Sequence, residues 1–377
     1  MSQNSHQLRS IVRAAAADAG FDICGMVNVR ELQSRELEYF SSWIAGGNAG
    51  EMTYLEARNE NGHFKRASMQ NALPWARSVI ICALNYNTGD ERSVEVAHEK
   101  SRGWISRYAW GRKDYHDVLL GKLRQVEGAL HRHITDEDGR AAFRTKCYVD
   151  TGPFLERVYA RYAGLGWVGK NTCLINQQLG SWLFLGAIAT SIEFPDGSPG
   201  PLPADRCGSC TRCLDACPTQ AFIAPYQLDA RKCISYLTIE KRGSIPEELR
   251  PQMGNHLFGC DICQDVCPWN RKAPASTEAD FQPTAELVNP PLEQIAELSQ
   301  RQFQEIFRHS PIKRAKYGGL RRNAAVAMGN SGDPKFLPQL QQMAMDEDGT
   351  VAEHAGWALE QIAKPAFAEE VSLREKS

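Results

Sequence analysis

Cysteines are the residues whose type and spacing could do chemistry in this chain. The stretch CGSCTRCLDACPTQ, residues 207–220, follows the pattern C-x2-C-x2-C-x3-C-P. Thiolates at this spacing are typical of [4Fe–4S] clusters, and the fourth cysteine of the pattern ligates the other cluster of a pair. The chain holds one complete copy of the pattern, so the rest of a second site must come from cysteines elsewhere.

A second, incomplete run lies in GCDICQDVCPWN, residues 259–270. It repeats the last three cysteines and the proline, and Cys233 supplies the missing first cysteine if residues 234–259 are an insertion. We therefore predict two clusters with crossed ligands. The predicted ligands are Cys207, Cys210, Cys213 and Cys267 for one cluster, and Cys217, Cys233, Cys260 and Cys263 for the other.

Structural zinc is the alternative role for these eight cysteines. Zinc sites favour tetrads closed by local pairs of ligands, and zinc does not explain why both runs end in Cys-Pro. A free cysteine is usually a small buried hydrophobic residue, so we assign no role to those without ligand spacing. These are Cys24, Cys82, Cys147 and Cys173.

The composition is that of an ordinary globular protein. The 377 residues are 42% hydrophobic and 23% charged, which favours two or three domains. No export signal and no run of 18 apolar residues is present in the sequence, so we expect a cytoplasmic protein that does not enter a membrane. Thiols stay reduced in that compartment, which favours metal binding by the cysteines over disulfides.

Charge is unevenly distributed, although the net charge is only -2. Residues 306–332 contain no acidic residue and six lysines or arginines. Such a segment is either a phosphate-binding patch or a solvated face.

Hydrophobic periodicity indicates an α+β region followed by helices. We predict a helix over Leu8–Ala19, a strand from Ser78, a helix from Asp114 and a strand from Ser181. The proline-rich residues 195–206 are predicted to be a linker into the cysteine-rich region. From Gly319 the pattern indicates helices joined by short turns, which resemble one or two HEAT-type units packed on the rest of the chain.

The glycine-rich stretch GLGWVGKN, residues 164–171, matches two nucleotide-binding patterns. Both patterns need a strand before the glycines and a helix after them. The sequence predicts the reverse order, a helix and then a strand, so we do not predict nucleotide binding at this stretch.

Four segments of the chain resemble the epoxyqueuosine reductase family. They are ISRYAWGRKDYH, VDTGPFLERVYARYAGLGWVGKNTCLI, CISYLTIEKRGSIPEELRPQMGNHLFGCDICQDVCPWNR and LRRNAAVAMGN. They span about residues 100–330 and keep their order and spacing relative to the cysteines. The family is related to the reductive dehalogenases, and the resemblance implies cobalamin and two [4Fe–4S] clusters as cofactors.

The resemblance also implies a fold and a reaction. The implied fold is α+β, with an N-terminal α/β cobalamin-binding domain (residues 1–195), a ferredoxin-like module for two [4Fe–4S] clusters (196–275) and a C-terminal α-helical, HEAT-like, tRNA-binding region (276–377). The implied reaction is the last step of queuosine biosynthesis: epoxyqueuosine at the wobble position of tRNA is reduced to queuosine, with loss of water. An external one-electron donor feeds the clusters, which reduce the corrin to cob(I)alamin, and we expect a monomer.

Site residues follow from the resemblance position by position. Asp150 is the expected proton donor, and because a solvated aspartate is ionised at neutral pH, this role implies that Asp150 is buried. The expected cobalamin-pocket residues are Arg66, Tyr108, Asp150, Lys170, Ser235 and Asp261. The expected tRNA contacts are Arg242, Lys313, Arg314, Lys316, Arg321, Arg322 and Asn323.

One histidine motif bears on how cobalt would be held. DYHDVL, from Asp114, comes closest to the D-x-H-x-x-G motif of proteins that ligate cobalt through histidine, but it lacks the glycine. This fits a family that binds cobalamin base-off without such a ligand.

Three other functions remain open at the level of sequence. A corrinoid reductase like the reductive dehalogenases shares the cofactors, a ferredoxin-type electron carrier shares the clusters, and an RNA-binding helical scaffold shares the basic segment. The long region before the cysteines argues against a simple carrier.

Overall fold

A computed structural model describes residues 2–31, 34–134, 143–194 and 201–374. Its helices are α1 Ser2–Asp18, α2 Ser34–Ala45, α3 Met69–Ala72, α4 Ser93–Val96, α5 Tyr115–His133, α6 Glu156–Tyr162, α7 Arg212–Asp215, α8 Ile234–Ile239, α9 Ile262–Asp265, α10 Leu292–Ala296, α11 Gln300–Ile306, α12 Tyr317–Ser331, α13 Leu337–Met343 and α14 Gly349–Arg374. Its strands are β1 Ile23–Asn28, β2 Ser78–Asn85, β3 Trp104–Ile105, β4 Thr145–Val149, β5 Trp167–Val168, β6 Leu174–Ile175, β7 Leu183–Thr190, β8 Phe222–Ala224, β9 Gln227–Leu228 and β10 His256–Phe258.

A four-stranded antiparallel sheet in the order β1-β2-β7-β4 forms the centre of the N-terminal region. Successive side chains of a strand point to opposite faces, and both faces of β2 are buried. Ile80 and Leu84 pack on one face with α1 and α5, whereas Val79 and Ile81 pack on the other with α6. This sandwich explains why β2 is apolar throughout instead of alternating with polar residues.

The predicted elements of this region are confirmed, with shifts of a few residues at their ends. Helix α5 begins after Asp114, whose carboxylate caps it by accepting a hydrogen bond from the backbone N–H of His116 (3.2 Å). Helix α6 precedes the glycine-rich stretch and β5 follows it, which is the order that argues against a nucleotide site. Of the predicted linker, residues 195–200 lie outside the described residues, and residues 201–206 have no regular structure.

The cysteine-rich region contains two similar turns that face each other. Short helices α7 and α9 carry Cys213 and Cys263, and the two helices are in contact. The segment between Cys233 and Cys260, which was predicted to be an insertion, contains α8 and β10. Strand β10 pairs with β3 in parallel and so joins this region to the N-terminal one.

The C-terminal helices share one hydrophobic core with the insertion and with residues 104–110. Ala324 and Val326 of α12 are buried together with Leu257 of β10, Leu237 of α8 and Trp357 of α14. Packing of these helices on the rest of the chain therefore agrees with the prediction, whereas the domain boundaries and the HEAT-like character of the helices stay predictions. Among the described residues, no helix combines the length and apolar character that crossing a membrane requires.

Candidate active site

The first predicted group of cysteines is assembled from both cysteine runs. The pKa of Cys213 is raised to about 11, mainly by burial and to a smaller extent by the nearby Cys267, Cys207 and Cys210, in that order of size. Cys207 and Cys267 also pack in the same small cluster with Trp167. Cysteines with 59 residues between them in the sequence are thus neighbours, as the crossed pattern predicts.

The second predicted group is assembled around the insertion. Burial raises the pKa of Cys260 well above its usual range, and Cys233 and Cys217 add to this effect. The pKa of Cys263 is raised mainly by a hydrogen bond with Cys173 and by burial, with smaller effects from Cys260 and Cys233.

The donor set fits [4Fe–4S] clusters in two ways. Each group brings together four thiols whose thiolate forms would repel one another, and binding to iron cations would offset this repulsion. Backbone N–H groups also point at the sulfurs: Ala221 donates to Cys217 Sγ (3.4 Å), and Ser235 and Tyr236 donate to Cys233. Among the described residues, no three His, Cys, Asp or Glu side chains converge closely enough to hold a single metal ion.

Asp261 ties the second group of cysteines to the N-terminal region. Its carboxylate is buried and accepts hydrogen bonds from Trp104 Nε1 (3.1 Å), from Ser106 Oγ and from the backbone N–H of Arg107 (2.7 Å). These residues lead directly into Tyr108, so Asp261 positions the segment that carries it.

Tyr108 lies at the inner side of the candidate active site. Its ring contacts Tyr115 edge-on at 5.9 Å and Phe258 at 5.8 Å between ring centroids. Burial raises the pKa of its hydroxyl well above the usual range, and the charge of Asp150 adds to this effect. Tyr108 therefore stays protonated at neutral pH.

Asp150 stands at the mouth of the same site, on the loop after β4. Its backbone φ is +53°, and its side chain is 52% exposed. The Tyr115 hydroxyl donates a hydrogen bond to Oδ2, and His116 Nε2 lies 4.0 Å from the same oxygen. Asp150 is therefore not buried in this structure, in contrast to the expectation from its predicted role as a proton donor.

A charged chain extends from Asp150 toward the C-terminal region. Asp114 Oδ1 accepts a hydrogen bond from Nδ1 of His116 (2.7 Å), and its Oδ2 pairs with Lys313 Nζ (3.0 Å). Burial alone raises the pKa of the Asp114 carboxyl, but the hydrogen bonds from His116 and Lys313 lower it to about 2. Asp114 is therefore a carboxylate at neutral pH.

Arg66 and Glu156 lie on the other side of the Asp150 loop. The Arg66 guanidinium is 3.5 Å from the Phe154 carbonyl oxygen. Burial raises the pKa of Glu156 to about 8, with a smaller contribution from the charge of Asp150. Oε1 of Glu156 is buried and has no hydrogen-bond partner among the described residues, so this carboxyl is uncharged at neutral pH.

Two other predicted cobalamin contacts lie beside the cysteines. Lys170 Nζ donates to the carbonyl oxygens of Gly208 (2.6 Å) and Cys210 (3.0 Å) and so holds the loop of the first run. Ser235, at the start of α8, points its backbone N–H at Cys233. Contacts of either residue with a corrin stay predictions.

The basic segment reaches the active-site mouth through Lys313 and Arg314. Arg314 pairs with Glu240 (2.6 Å), and its Nη2 donates to the Tyr54 hydroxyl (3.3 Å). The Tyr54 ring is 47% exposed, and the guanidinium carbon of Arg66 lies 5.8 Å from its centroid. Two further predicted tRNA contacts, Arg242 and Lys316, are also exposed.

Arg322 and Asn323 are buried, which contradicts the prediction that they contact tRNA directly. Arg322 is 1% exposed and donates to three main-chain carbonyl oxygens, of Leu237, Lys241 and Gly243. Asn323 is fully buried and donates to two further carbonyls. Neither side chain can reach a phosphate, and both instead hold α8 and the loop after it against α12.

Arg321 is also largely withdrawn from solvent. Its side chain is 13% exposed and pairs with Asp346 (2.5 Å). A direct phosphate contact by Arg321 therefore requires that this ion pair opens.

Several residues of the site were missed by sequence reasoning. Tyr115 and His116 were noted only as part of a motif without its glycine, and Tyr54 and Glu156 carry no motif at all. Cys173, to which no role was assigned, forms a hydrogen bond with Cys263. The sequence offered one indication of Tyr115 and His116, namely the helix-capping residue Asp114 directly before them.

Two family models match the chain. The model described as "Epoxyqueuosine reductase QueG, DUF1730" matches residues 66–151, and the model described as "4Fe-4S double cluster binding domain" matches residues 206–270. The epoxyqueuosine reductase of Xanthomonas campestris pv. campestris is 40% identical over 352 residues, which are 93% of this chain and 95% of the relative. The chain belongs to the epoxyqueuosine reductase family.

Solved structures of epoxyqueuosine reductases have the same fold. One, with a tRNA-Tyr epoxyqueuosine-modified stem loop, has a TM-score of 0.81 at 33% identity and covers 98% of this chain and 93% of its own. Another, from Bacillus subtilis with its catalytic aspartate loop swung out of the active site, has a TM-score of 0.81 at 32% identity and covers 98% and 94%. The recognised epoxyqueuosine reductase segments in this chain thus lie within an α+β fold that includes a double [4Fe–4S]-binding domain.

Proposed function

We propose that this chain reduces epoxyqueuosine at the wobble position of tRNA to queuosine, with cobalamin and two [4Fe–4S] clusters as cofactors. Family membership and the double-cluster domain support the reaction class. The observation that carries the proposal is the meeting of three features at one opening: the Asp150 loop, the segment leading to the cysteines and the Lys313–Arg314 pair.

The tRNA is proposed to approach along the exposed cations of the C-terminal region. Lys313, Arg314, Lys316 and Arg242 can hold anticodon phosphates beside the opening. The half-exposed Tyr54 ring offers an aromatic surface on which an unstacked base could pack. We propose the C-terminal helices as a HEAT-like tRNA-binding region and residues 1–195 as the cobalamin domain.

Cobalamin, when bound, supplies a strongly reducing metal centre that can take single electrons from the clusters. Arg66, Tyr108 and Asp150 would contact it, because Asp150 lies near Tyr108 and both Asp150 and Arg66 lie near Glu156, whose buried Oε1 has no hydrogen-bond partner among the described residues. Asp150 would give a proton to the leaving epoxide oxygen, with Tyr115 orienting its carboxyl group. The eight cysteines hold the two clusters in the crossed arrangement.

Mass spectrometry of tRNA tests this proposal in a strain that lacks the protein. We expect epoxyqueuosine to accumulate, and queuosine to return when the wild-type gene is restored. Restoration with Cys213→Ser should fail because the cluster path is broken, whereas Cys147→Ser should succeed. Normal queuosine in the deletion strain would overturn the proposal.

A spectrum of the purified protein separates the reductase from an electron carrier. After anaerobic reconstitution, the proposal expects one corrin and two clusters for each chain. Clusters without retained corrin would instead favour a ferredoxin-type carrier.

A further inference from the structure

The Asp114–His116 pair lies beside the proposed proton donor and has no part in the reaction as described so far. Asp114 is buried, with a side-chain exposure of 4%, and its carboxylate can only accept hydrogen bonds. Because Nδ1 of His116 lies 2.7 Å from Oδ1 of Asp114, Nδ1 must carry a hydrogen. The other ring nitrogen, Nε2, is therefore the one that can bind and release a proton, and it faces Asp150 at 4.0 Å.

The proposed reaction, on which this inference rests, needs more protons than Asp150 holds. Conversion of an epoxide to an alkene consumes two electrons and two protons and releases the epoxide oxygen as water. Electrons come from an external one-electron donor through the clusters. One carboxyl group carries at most one proton, so a second proton must reach the reaction site in each turnover.

Neighbouring groups differ in their capacity to supply that proton. Tyr115 donates a hydrogen bond to Asp150, but burial and the charge of Asp150 raise the pKa of Tyr115 well above its usual range, so it keeps its proton. Lys313 Nζ forms an ion pair with Oδ2 of Asp114 (3.0 Å). Histidine is the side chain that exchanges protons most readily near neutral pH.

We propose that His116, oriented by Asp114, stores a proton and recharges Asp150 within each turnover. Asp150 in its protonated form first gives its proton to the epoxide oxygen as one carbon–oxygen bond breaks, and the bonding electrons stay with the oxygen of the new hydroxyl group. The Nε2–H bond of His116 then breaks as an Oδ2–H bond forms on Asp150, which leaves the imidazole neutral. Asp150 passes this second proton to the hydroxyl group, which departs as water while the two electrons delivered through the clusters become the new carbon–carbon π bond.

The geometry requires only a small movement for this transfer. A distance of 4.0 Å exceeds a hydrogen bond by about 1 Å, and such distances commonly shorten when substrate binds. Asp150 lies on a loop, and its carboxyl group is half exposed, so it can approach the ring. His116 acts through Asp150 and does not itself contact the substrate.

His116→Gln tests the inference in the protein loaded with both cofactors, with an epoxyqueuosine-containing tRNA stem loop as substrate. Glutamine keeps a hydrogen-bonding group near Asp114 but does not exchange protons at neutral pH. We expect kcat to fall about 10- to 100-fold, with KM for the stem loop unchanged, and added imidazole to restore part of kcat. His98→Gln, which replaces an exposed histidine on another segment, is the matched control and should behave as wild type.

The pH profile gives a second readout that a structural role would not produce. The charged or titratable groups that face His116 are Asp114, Tyr115, Asp150 and Lys313. Wild type and His116→Gln should therefore differ in the pH dependence of kcat, because only wild type carries a side chain at this position that can store and release a proton.

The possible failures are distinguishable. If wild type does not convert the stem loop, the proposed function and this inference both fail. If wild type turns over while His116→Gln keeps the same kcat and pH profile, only the inference fails. A defect that imidazole does not rescue, with corrin and clusters retained, also overturns it, and a matching defect in Glu156→Gln alone would move the proton store to Glu156.

Discussion

Asp150 occupies a backbone conformation that residues other than glycine rarely adopt. Its φ of +53° costs about 1 kcal/mol, although aspartate tolerates this region better than most residues. The conformation turns the side chain back toward Tyr115 at the start of α5. The conformation places the Asp150 carboxyl group beside the Tyr115 hydroxyl and the His116 ring, where it can exchange protons.

Asp150→Asn separates proton donation from positioning. Asparagine keeps the size and hydrogen bonding of aspartate but cannot give up a proton. We expect turnover of the modified stem loop to fall by about 10²–10⁴-fold, with cluster content, corrin content and tRNA affinity unchanged. Loss of corrin together with activity would instead make Asp150 a structural residue of the pocket.

Glu156 predicts a pH dependence of stability. Its pKa is raised by burial to about 8 in the folded chain, against about 4.3 for an exposed glutamate. The unfolded chain therefore loses this proton first, and stability falls as the pH rises from about 4 to about 8. Glu156→Gln removes this loss, so its melting temperature should exceed that of wild type by a few degrees at pH 8.5 and by much less at pH 5.

Thermal unfolding followed by circular dichroism at equal cofactor loading measures this difference. Glu347→Gln, at an exposed position, is the control and should show no pH-dependent gain. Equal gains for Glu156→Gln at both pH values would refute the buried, uncharged state.

At the scale of elements, the two short helices α7 and α9 explain why the ligands cross. Each helix carries the third cysteine position of its run and is followed by a cysteine and a proline. Because the two helices pack against each other, the cysteine after one helix meets the sulfurs of the other run. Gly259, just before Cys260, allows the second run to lie close to the segment after β3, since its φ is +71° and a Cβ there would overlap Ser106.

Serine substitutions test the crossed assignment. We expect Cys267→Ser and Cys210→Ser to disturb one EPR signal of the reduced protein, and Cys217→Ser and Cys260→Ser to disturb the other. Cys147→Ser should preserve both signals, because this thiol lies in the central sheet. If Cys217→Ser gave the same loss as Cys210→Ser, each run would bind its own cluster and the assignment would be wrong.

At the scale of the whole molecule, the C-terminal helices are part of the same body as the active site. Lys313 and Arg314 pair with Asp114 and Glu240, which belong to the two regions before them. Arg322 and Asn323 anchor α12 on α8, directly after Cys233 in the chain. The proposed binding of tRNA at these helices would therefore take place within reach of both the predicted clusters and Asp150.

Exposed and buried cations should respond differently to substitution. Lys316→Ala combined with Arg242→Ala should lower the slope of log affinity against log salt by about 0.7–0.9 for each lost phosphate contact. Lys335→Ala, at an exposed cation outside the basic segment, is the control.

Arg322→Ala should instead lower the free energy of unfolding by several kcal/mol, because it leaves buried carbonyl groups without a donor.

Binding titrations at several salt concentrations and unfolding experiments separate these effects. An unchanged salt slope in the double variant would mean that the basic segment is a solvated face and does not bind phosphate. A stable Arg322→Ala variant with a reduced slope would show that this guanidinium does reach tRNA.

The sequence by itself determined the cluster chemistry and several of the main helices and strands. Cysteine spacing predicted two clusters and an insertion after Cys233, because ligand geometry depends on local spacing. Hydrophobic periodicity predicted β2 and β7, because strands buried on both faces are continuously apolar, and it predicted α5 and α6, because helices that pack on a sheet carry one apolar face. The resemblance of four segments predicted the family that the comparisons confirm.

Only the tertiary structure decided which polar residues are available for function. Arg322 and Lys316 belong to the same acid-free segment, but packing of α12 on α8 buries the first, and the second remains exposed. Asp114 and Lys313 lie 199 positions apart, and no local pattern indicates that they form an ion pair beside Asp150. Charge and spacing are properties of the chain, whereas burial and proximity arise when distant elements pack together.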